Sequence, residues 1–212
     1  MKSKQTRIRE IMGLAPVIPV LRFETVDDAV NTSRALVAGG LPVIEITLRS
    51  DVALDCIMAV ADAVDGAIVG AGTVLNGRMM VDCMEAGSQF FVSPGSTQDL
   101  IESAAKTDIP LLPGVSTPSE AMGMMGEGYE NLKFFPAEQA GGAAYLKSIA
   151  PVLSGLTFCP TGGLTADKAP TYLSLPNVAC VGGSWVAPSD LIAAKDWDGI
   201  SELAAKAAKL GS

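Results

Sequence analysis

Residues 43–72 read VIEITLRSDVALDCIMAVADAVDGAIVGAG, and one complete structural unit is spelled out in them. Val43 to Leu48 is a short run rich in β-branched residues, as a buried strand requires. Ser50 then precedes a helical pattern from Asp51 to Val64, Gly66 marks a turn, and Ala67 to Gly72 is a second short apolar run. A link of that length is too long for a hairpin and fits a crossover helix, so the two strands are expected to be parallel and the connection right-handed.

The same unit recurs on both sides. Further candidate strands are Val17 to Leu21, Gln89 to Ser93, Ile109 to Pro113, Asn131 to Phe135, Leu156 to Pro160 and Val178 to Val181. Cap signals fall after strands, at Thr25, Ser50 and Thr117-Pro118-Ser119-Glu120, the last a full capping box with Pro at the first helical position. Glycines fall where helices end, at Gly39-Gly40, Gly66, Gly87 and Gly155. Eight such units predict an α/β fold, a closed (β/α)8 TIM barrel, with residues 1–12 as an extra N-terminal helix across its bottom. A doubly wound sheet would show the same alternation. No G-x-G-x-x-G follows the first strand, where Pro16-Val17-Ile18-Pro19-Val20-Leu21-Arg22 stands instead, and no unit looks like a sheet edge. The 212 residues are fewer than the roughly 250 typical of such barrels, so residues 1–212 are expected to be one lean domain.

Composition narrows the chemistry. Hydrophobic residues make 49% of the chain and charged ones 18%, which allows a large core. The chain contains no His, which excludes a Ser-His-Asp triad, a Cys-His pair and a His-ligated zinc. A formal charge of −8 without a Lys/Arg run speaks against nucleic acid as a partner. Cys56, Cys83, Cys159 and Cys180 have no C-x-x-C spacing and are expected to be reduced packing residues of a cytoplasmic protein. Pro16 and Pro19 interrupt the apolar stretch from Met12 to Leu21, against a secretory signal. The uncharged runs Ser148 to Ala166 and Ala169 to Ser189 each hold five Gly or Pro residues, and read as buried strands and loops rather than membrane spans.

In a barrel the site lies at the C-terminal strand ends. Alternation in Val43-Ile44-Glu45-Ile46-Thr47-Leu48-Arg49 puts Glu45, Thr47 and Arg49 on the interior face and the apolar residues towards the helices. The bland alternative is a Glu–Arg pair that merely fills the barrel. In Asn131-Leu132-Lys133-Phe134-Phe135-Pro136, Lys133 sits inside an apolar strand and shares a face with Phe135. Desolvation of such a lysine lowers its pKa and frees an amine to attack a ketone carbonyl; its structural alternative is a partner that balances Glu45. The turns Thr161-Gly162-Gly163 and Gly182-Gly183-Ser184 follow the seventh and eighth strands, where barrels often cradle phosphate with a short extra helix, here Ser189 to Ala194. Thr73, in Gly70-Ala71-Gly72-Thr73, offers a hydroxyl to a substrate or a cap to the next helix. Pro94, in Ser93-Pro94-Gly95, shapes the loop on the substrate-binding rim. A metal-dependent aldolase or epimerase lacks a convincing ligand set. A non-catalytic sugar-phosphate-binding barrel would keep the glycine turns yet have no use for Lys133 opposite Glu45.

Taken together, Glu45-Ile46-Thr47-Leu48-Arg49, Gly70-Ala71-Gly72-Thr73, Ser93-Pro94-Gly95, Leu112-Pro113-Gly114, Lys133-Phe134-Phe135-Pro136-Ala137-Glu138, Cys159-Pro160-Thr161-Gly162-Gly163 and Gly182-Gly183-Ser184-Trp185 resemble, in order and over nearly the full length, the bacterial 2-keto-3-deoxy-6-phosphogluconate aldolase family. Pro42 and Ala140 depart from the family pattern, where a non-proline residue and an Asn are more usual. The resemblance implies a homotrimeric class I aldolase of the Entner–Doudoroff pathway that needs no metal or cofactor. Its substrate would be a phosphorylated 2-keto acid cleaved to pyruvate and D-glyceraldehyde 3-phosphate, and many members also cleave 4-hydroxy-2-oxoglutarate to pyruvate and glyoxylate. By the same resemblance Lys133 is the Schiff-base lysine, Glu45 the acid–base residue, Arg49 and Thr73 ligands of the pyruvoyl carboxylate, and Thr161, Gly162, Gly163 and Ser184 neighbours of the phosphate.

Overall fold

All strand pairings in the computed structural model, which describes residues 1–211, are parallel. The first half runs α1 (Lys2–Met12), β1 (Val17–Leu21), α2 (Val26–Ala38), β2 (Val43–Thr47), α3 (Ala53–Ala63), β3 (Ile68–Gly72), α4 (Gly77–Glu85), β4 (Phe91–Val92) and α5 (Gln98–Ala105). The second runs β5 (Leu111–Leu112), β6 (Gly114–Val115), α6 (Pro118–Gly126), β7 (Asn131–Phe134), α7 (Gly142–Ile149), β8 (Thr157–Pro160), α8 (Ala169–Leu173), β9 (Val181–Gly183), α9 (Ser189–Ala194) and α10 (Trp197–Ala207). The strands form two parallel sheets, one ordered β5-β4-β3-β2-β1-β9 and the other β6-β7-β8.

The sheets meet at two seams. The segment expected as one strand at 109–113 appears as β5 and β6 on either side of Pro113. Proline has no N–H for a ladder, and its carbonyl turns to β7, accepting from Lys133 N at 2.9 Å, while Leu112 O accepts from Ser93 N on the β4 side at 3.3 Å. At the other seam, isolated parallel bridges Phe158–Val178 and Thr161–Gly182 join the β8 region to the β9 region. The last strand begins at Val181, later than its apolar run suggests, because Val17, Ile18 and Pro19 pair with Val181, Gly182 and Gly183.

Two buried clusters separate the faces of the strands. Ile44 and Ile46 pack outward in the cluster that contains Cys56, Ile57 and Val60 of α3. Val43 faces inward with Ile18, Phe90, Val92, Leu112, Cys159 and Cys180, and α1 adds Ile8, Ile11 and Met12 to this second cluster. The N-terminal helix thus seals apolar side chains drawn from both sheets. It is fastened by Gln5, whose Oε1 accepts from the backbone N–H of Glu130 at 2.9 Å and from Asn131 Nδ2 at 3.0 Å. All four cysteines are free and buried, and burial pushes the Cys56 and Cys83 thiols up to about 11 and about 12. Among the described residues no helix is long and apolar enough to cross a membrane.

Two expected caps are corrected. Ser50 does not cap α3: Val52 holds that position without a side-chain bond, and the Ser50 hydroxyl is buried without a partner. Thr73 does not cap α4; Asn76 does, accepting from Met79 N at 3.0 Å. The capping box of α6 is present, with Thr117 Oγ1 accepting from Glu120 N and Glu120 Oε2 accepting from Thr117 N. Burial alone would raise the Glu120 pKa, yet hydrogen bonds from Ser116 and Thr117 outweigh it and hold the carboxyl below its usual value. A lowered folded-state pKa stabilises the protein above the unfolded-state pKa and ceases to do so as pH falls through the folded value. Thr117→Ala should cost about 1 kcal/mol in urea denaturation, and Glu120→Gln should flatten the loss of stability on the acid side of that profile.

Candidate active site

Lys133 and Glu45 come from different sheets and meet inside the fold. Lys133 Nζ donates to Glu45 Oε1 at 3.3 Å, and the two side chains are 6% and 4% exposed. The alternation read in the sequence explains the meeting, since odd-numbered residues of both β2 and β7 point inward. The ammonium also lies 5.3 Å from the centroid of the Phe135 ring, a cation–π distance. A lone charge buried there would be strongly unfavourable, whereas two opposite charges in contact offset much of the desolvation.

Glu45 has room because β3 ends in glycine. The β2–β3 register sets Glu45 beside Gly70 and Thr47 beside Gly72, and a Cβ on Gly72 would fall 2.1 Å from Glu45 Oε1. Sequence reasoning missed Gly72; the signal was a glycine on the inner face of an otherwise regular strand, a mark of close approach. Thr47, expected beside Glu45, is used structurally: its hydroxyl donates to Leu21 O at 2.8 Å and accepts from Arg49 Nε at 3.0 Å. Arg49 is thereby aimed along the C-terminal end of β2, and its carbonyl accepts from Arg22 Nε at 2.7 Å.

A cleft of about 180 Å³ opens at this end, lined by Arg49, Phe135, Ser184 and the turns at Thr161-Gly162-Gly163 and Gly182-Gly183. It holds eight of the residues singled out in the sequence, and Phe135 touches both the cleft and Lys133. Gly162 and Gly163 have φ of 109° and 75°, values that side-chain-bearing residues rarely adopt. A Cβ on Gly183 would lie 1.7 Å from the Trp185 ring. An adjoining cleft of about 360 Å³ shares Arg49 and Ser184 and reaches Arg22 and Pro188 beside α9. Lys133 and Glu45 line neither cleft, being buried earlier on their strands. Thr73 and Pro94 line neither as well. They follow the C-terminal ends of β3 and β4, and Thr73 is held at φ 59°, a strained backbone for a β-branched residue. Among the described residues no group of three or more His, Cys, Asp or Glu is arranged to hold a metal ion.

The model of the family described as KDPG and KHG aldolase matches residues 8–203. The chain belongs to that family. A 2-dehydro-3-deoxy-phosphogluconate aldolase of Pseudoalteromonas atlantica is 46% identical, over 97% of this chain and 96% of the relative. The 2-keto-3-deoxy-6-phosphogluconate aldolase of Zymomonas mobilis, solved with 3-phosphoglycerate, superposes with a TM-score of 0.93 at 47% identity and covers 97% of each chain. The KDPG aldolase of Legionella pneumophila, in which pyruvate was captured at low pH as a covalent carbinolamine intermediate, gives a TM-score of 0.92 at 41% identity, over 95% of this chain and 98% of that one. Within this aldolase family framework, the packing of Gly72 against Glu45 can be tested alone. Gly72→Ala should destabilise by about 1–3 kcal/mol by overpacking, and the loss should shrink in a Glu45→Ala background, as a double-mutant cycle by chemical denaturation would show.

Proposed function

We propose that this protein is a class I aldolase that cleaves 2-keto-3-deoxy-6-phosphogluconate to pyruvate and D-glyceraldehyde 3-phosphate, with 4-hydroxy-2-oxoglutarate as a second substrate giving glyoxylate. The observation that carries the reading is the buried Lys133–Glu45 pair, joined through Phe135 to a cleft that two glycine turns also line. Lys133, once its proton passes to Glu45, attacks the C2 ketone. The carbinolamine loses water to a protonated imine, with Glu45 moving the protons. Glu45 then takes the C4 hydroxyl proton, the C3–C4 bond breaks, and its electron pair flows to the imine nitrogen as an enamine. The aldehyde leaves, C3 of the enamine is protonated, and water releases pyruvate and restores the amine.

Arg49 and Thr73 would orient the pyruvoyl carboxylate, Arg49 through a forked pair. The phosphate would lie against backbone N–H groups of the turns at Thr161-Gly162-Gly163 and Gly183-Ser184. Phe135 would pack against the imine, and Pro94 would close the rim. We extend the proposal to the architecture that holds these groups: one domain, a closed (β/α)8 barrel with α1 as its plug. The switch of partners at Pro113 and the bridges between β8 and β9 support that closure. Family membership supports a homotrimer, and four free cysteines suit a reducing cytoplasm.

A non-catalytic sugar-phosphate binder has no need of an amine in contact with a carboxylate. In a coupled assay of pyruvate release, Lys133→Ala should abolish turnover, and Lys133→Arg should fail as well because guanidinium does not become a nucleophile. Glu45→Gln should lower kcat by about 10²- to 10⁴-fold. Full activity in Lys133→Ala would overturn the proposal.

A further inference from the structure

A second ionised group, the Glu138 carboxylate with Lys168 and Tyr172, stands beside the glycine turn, outside the Lys133–Glu45 pair. Glu138 follows β7, and its carboxylate accepts from Tyr172 Oη of α8 at 2.5 Å and pairs with Lys168, which precedes α8. Its backbone N–H donates to Gly162 O at 3.2 Å, and that of Ala137 donates to Thr161 O at 2.8 Å. The side chain lies flat on the turn, for a Cβ on Gly163 would fall 2.9 Å from Glu138 Cγ. On the other side of the turn, a Cβ on Gly162 would lie 3.2 Å from Pro136 Cα. The turn at 162–163, with both residues at positive φ, therefore packs on the segment after β7, and Lys168 and Tyr172 tie that segment to α8 through Glu138.

Resting on the aldolase reading above, we propose that Glu138 is a positioning residue for the phosphate end of the substrate: its bonds to Lys168 and Tyr172 clamp the Gly162–Gly163 turn so that the N–H groups of that turn stay aimed into the cleft. Glu138 does not line the cleft itself, whereas both glycines do. It therefore acts through the turn. Isolated backbone donors hold an anion well only when their orientation is fixed before binding. The clamp also occupies Lys168, keeping this partly exposed cation on Glu138 instead of on the anion. The hydrogen bonds of Lys168 and Tyr172 hold the Glu138 carboxyl below the usual carboxylate range, as an ionised clamp requires.

The test separates phosphate recognition from imine chemistry. Glu138→Ala, Glu138→Gln and Tyr172→Phe are assayed with 2-keto-3-deoxy-6-phosphogluconate, with unphosphorylated 4-hydroxy-2-oxoglutarate, and for exchange of the C3 protons of pyruvate into deuterium oxide. Glu138→Ala should raise KM for the phosphorylated substrate by about tenfold or more, the loss of roughly one charge-assisted bond. Its kcat, the unphosphorylated reaction and pyruvate exchange should stay within about twofold of the unaltered protein. Glu138→Gln and Tyr172→Phe should fall between, and they decide the matter if Glu138→Ala does not fold. An equal loss on all three readouts, or no change in KM for the phosphorylated substrate, would overturn this role. Absence of pyruvate exchange in the unaltered protein would overturn the aldolase reading and this inference with it.

Discussion

The contact between Lys133 and Glu45 is the constraint on which the rest of the structure turns. Both side chains are almost fully buried, and neither charge is tolerable there without the other. Their pairing requires two strands from different sheets to present inward polar residues at the same level. It also requires β3 to give up a side chain at Gly72. The apolar cluster of Ile18, Val43, Val92 and Leu112 is joined by Ile8 and Ile11 of α1, and the cleft lies at the strands' C-terminal ends, where Phe135 and Arg49 follow the pair on β7 and β2.

This arrangement divides labour by chemistry. In the proposed mechanism the interior supplies a nucleophile and a proton carrier under low polarity, where electrostatic interactions are strong. In the proposed reading the rim supplies Arg49 and backbone N–H groups, which would recognise anions without placing another titratable group beside the amine. An overall charge of −8 makes such local donors the natural means of holding a substrate with a carboxylate at one end and a phosphate at the other. The Glu138–Lys168–Tyr172 clamp extends the same logic one layer outward, fixing a turn that has no side chains of its own.

Much of this was legible in the sequence, for reasons specific to each part. The period-two pattern from Val43 to Arg49 gave the inward faces directly, and the core clusters place Ile44 and Ile46 outside and Val43 inside, as that pattern demands. Thr25 and Thr117 read correctly as caps, each hydroxyl accepting from the backbone N–H three residues on. Ser50 and Thr73 look the same in sequence, but their helices start later, at Ala53 and Gly77, so Val52 and Asn76 take the cap positions. The split at Pro113 depends on which neighbour its carbonyl serves, and β9 begins late because β1 sets its register. Gly72 and Glu138 escaped notice since their roles are contacts across the fold rather than local patterns. The names of relatives supply the substrate class, which residue chemistry left at an anionic ketone.

The most direct measurement is reduction of the protein with borohydride in the presence of excess pyruvate, followed by intact-mass analysis and peptide mapping. The account predicts one stable pyruvate-derived adduct per chain, on Lys133, which would place an imine at a lysine buried against a carboxylate. A folded protein that gains no adduct, or gains it on an exposed lysine with Lys133 unmodified, would contradict it.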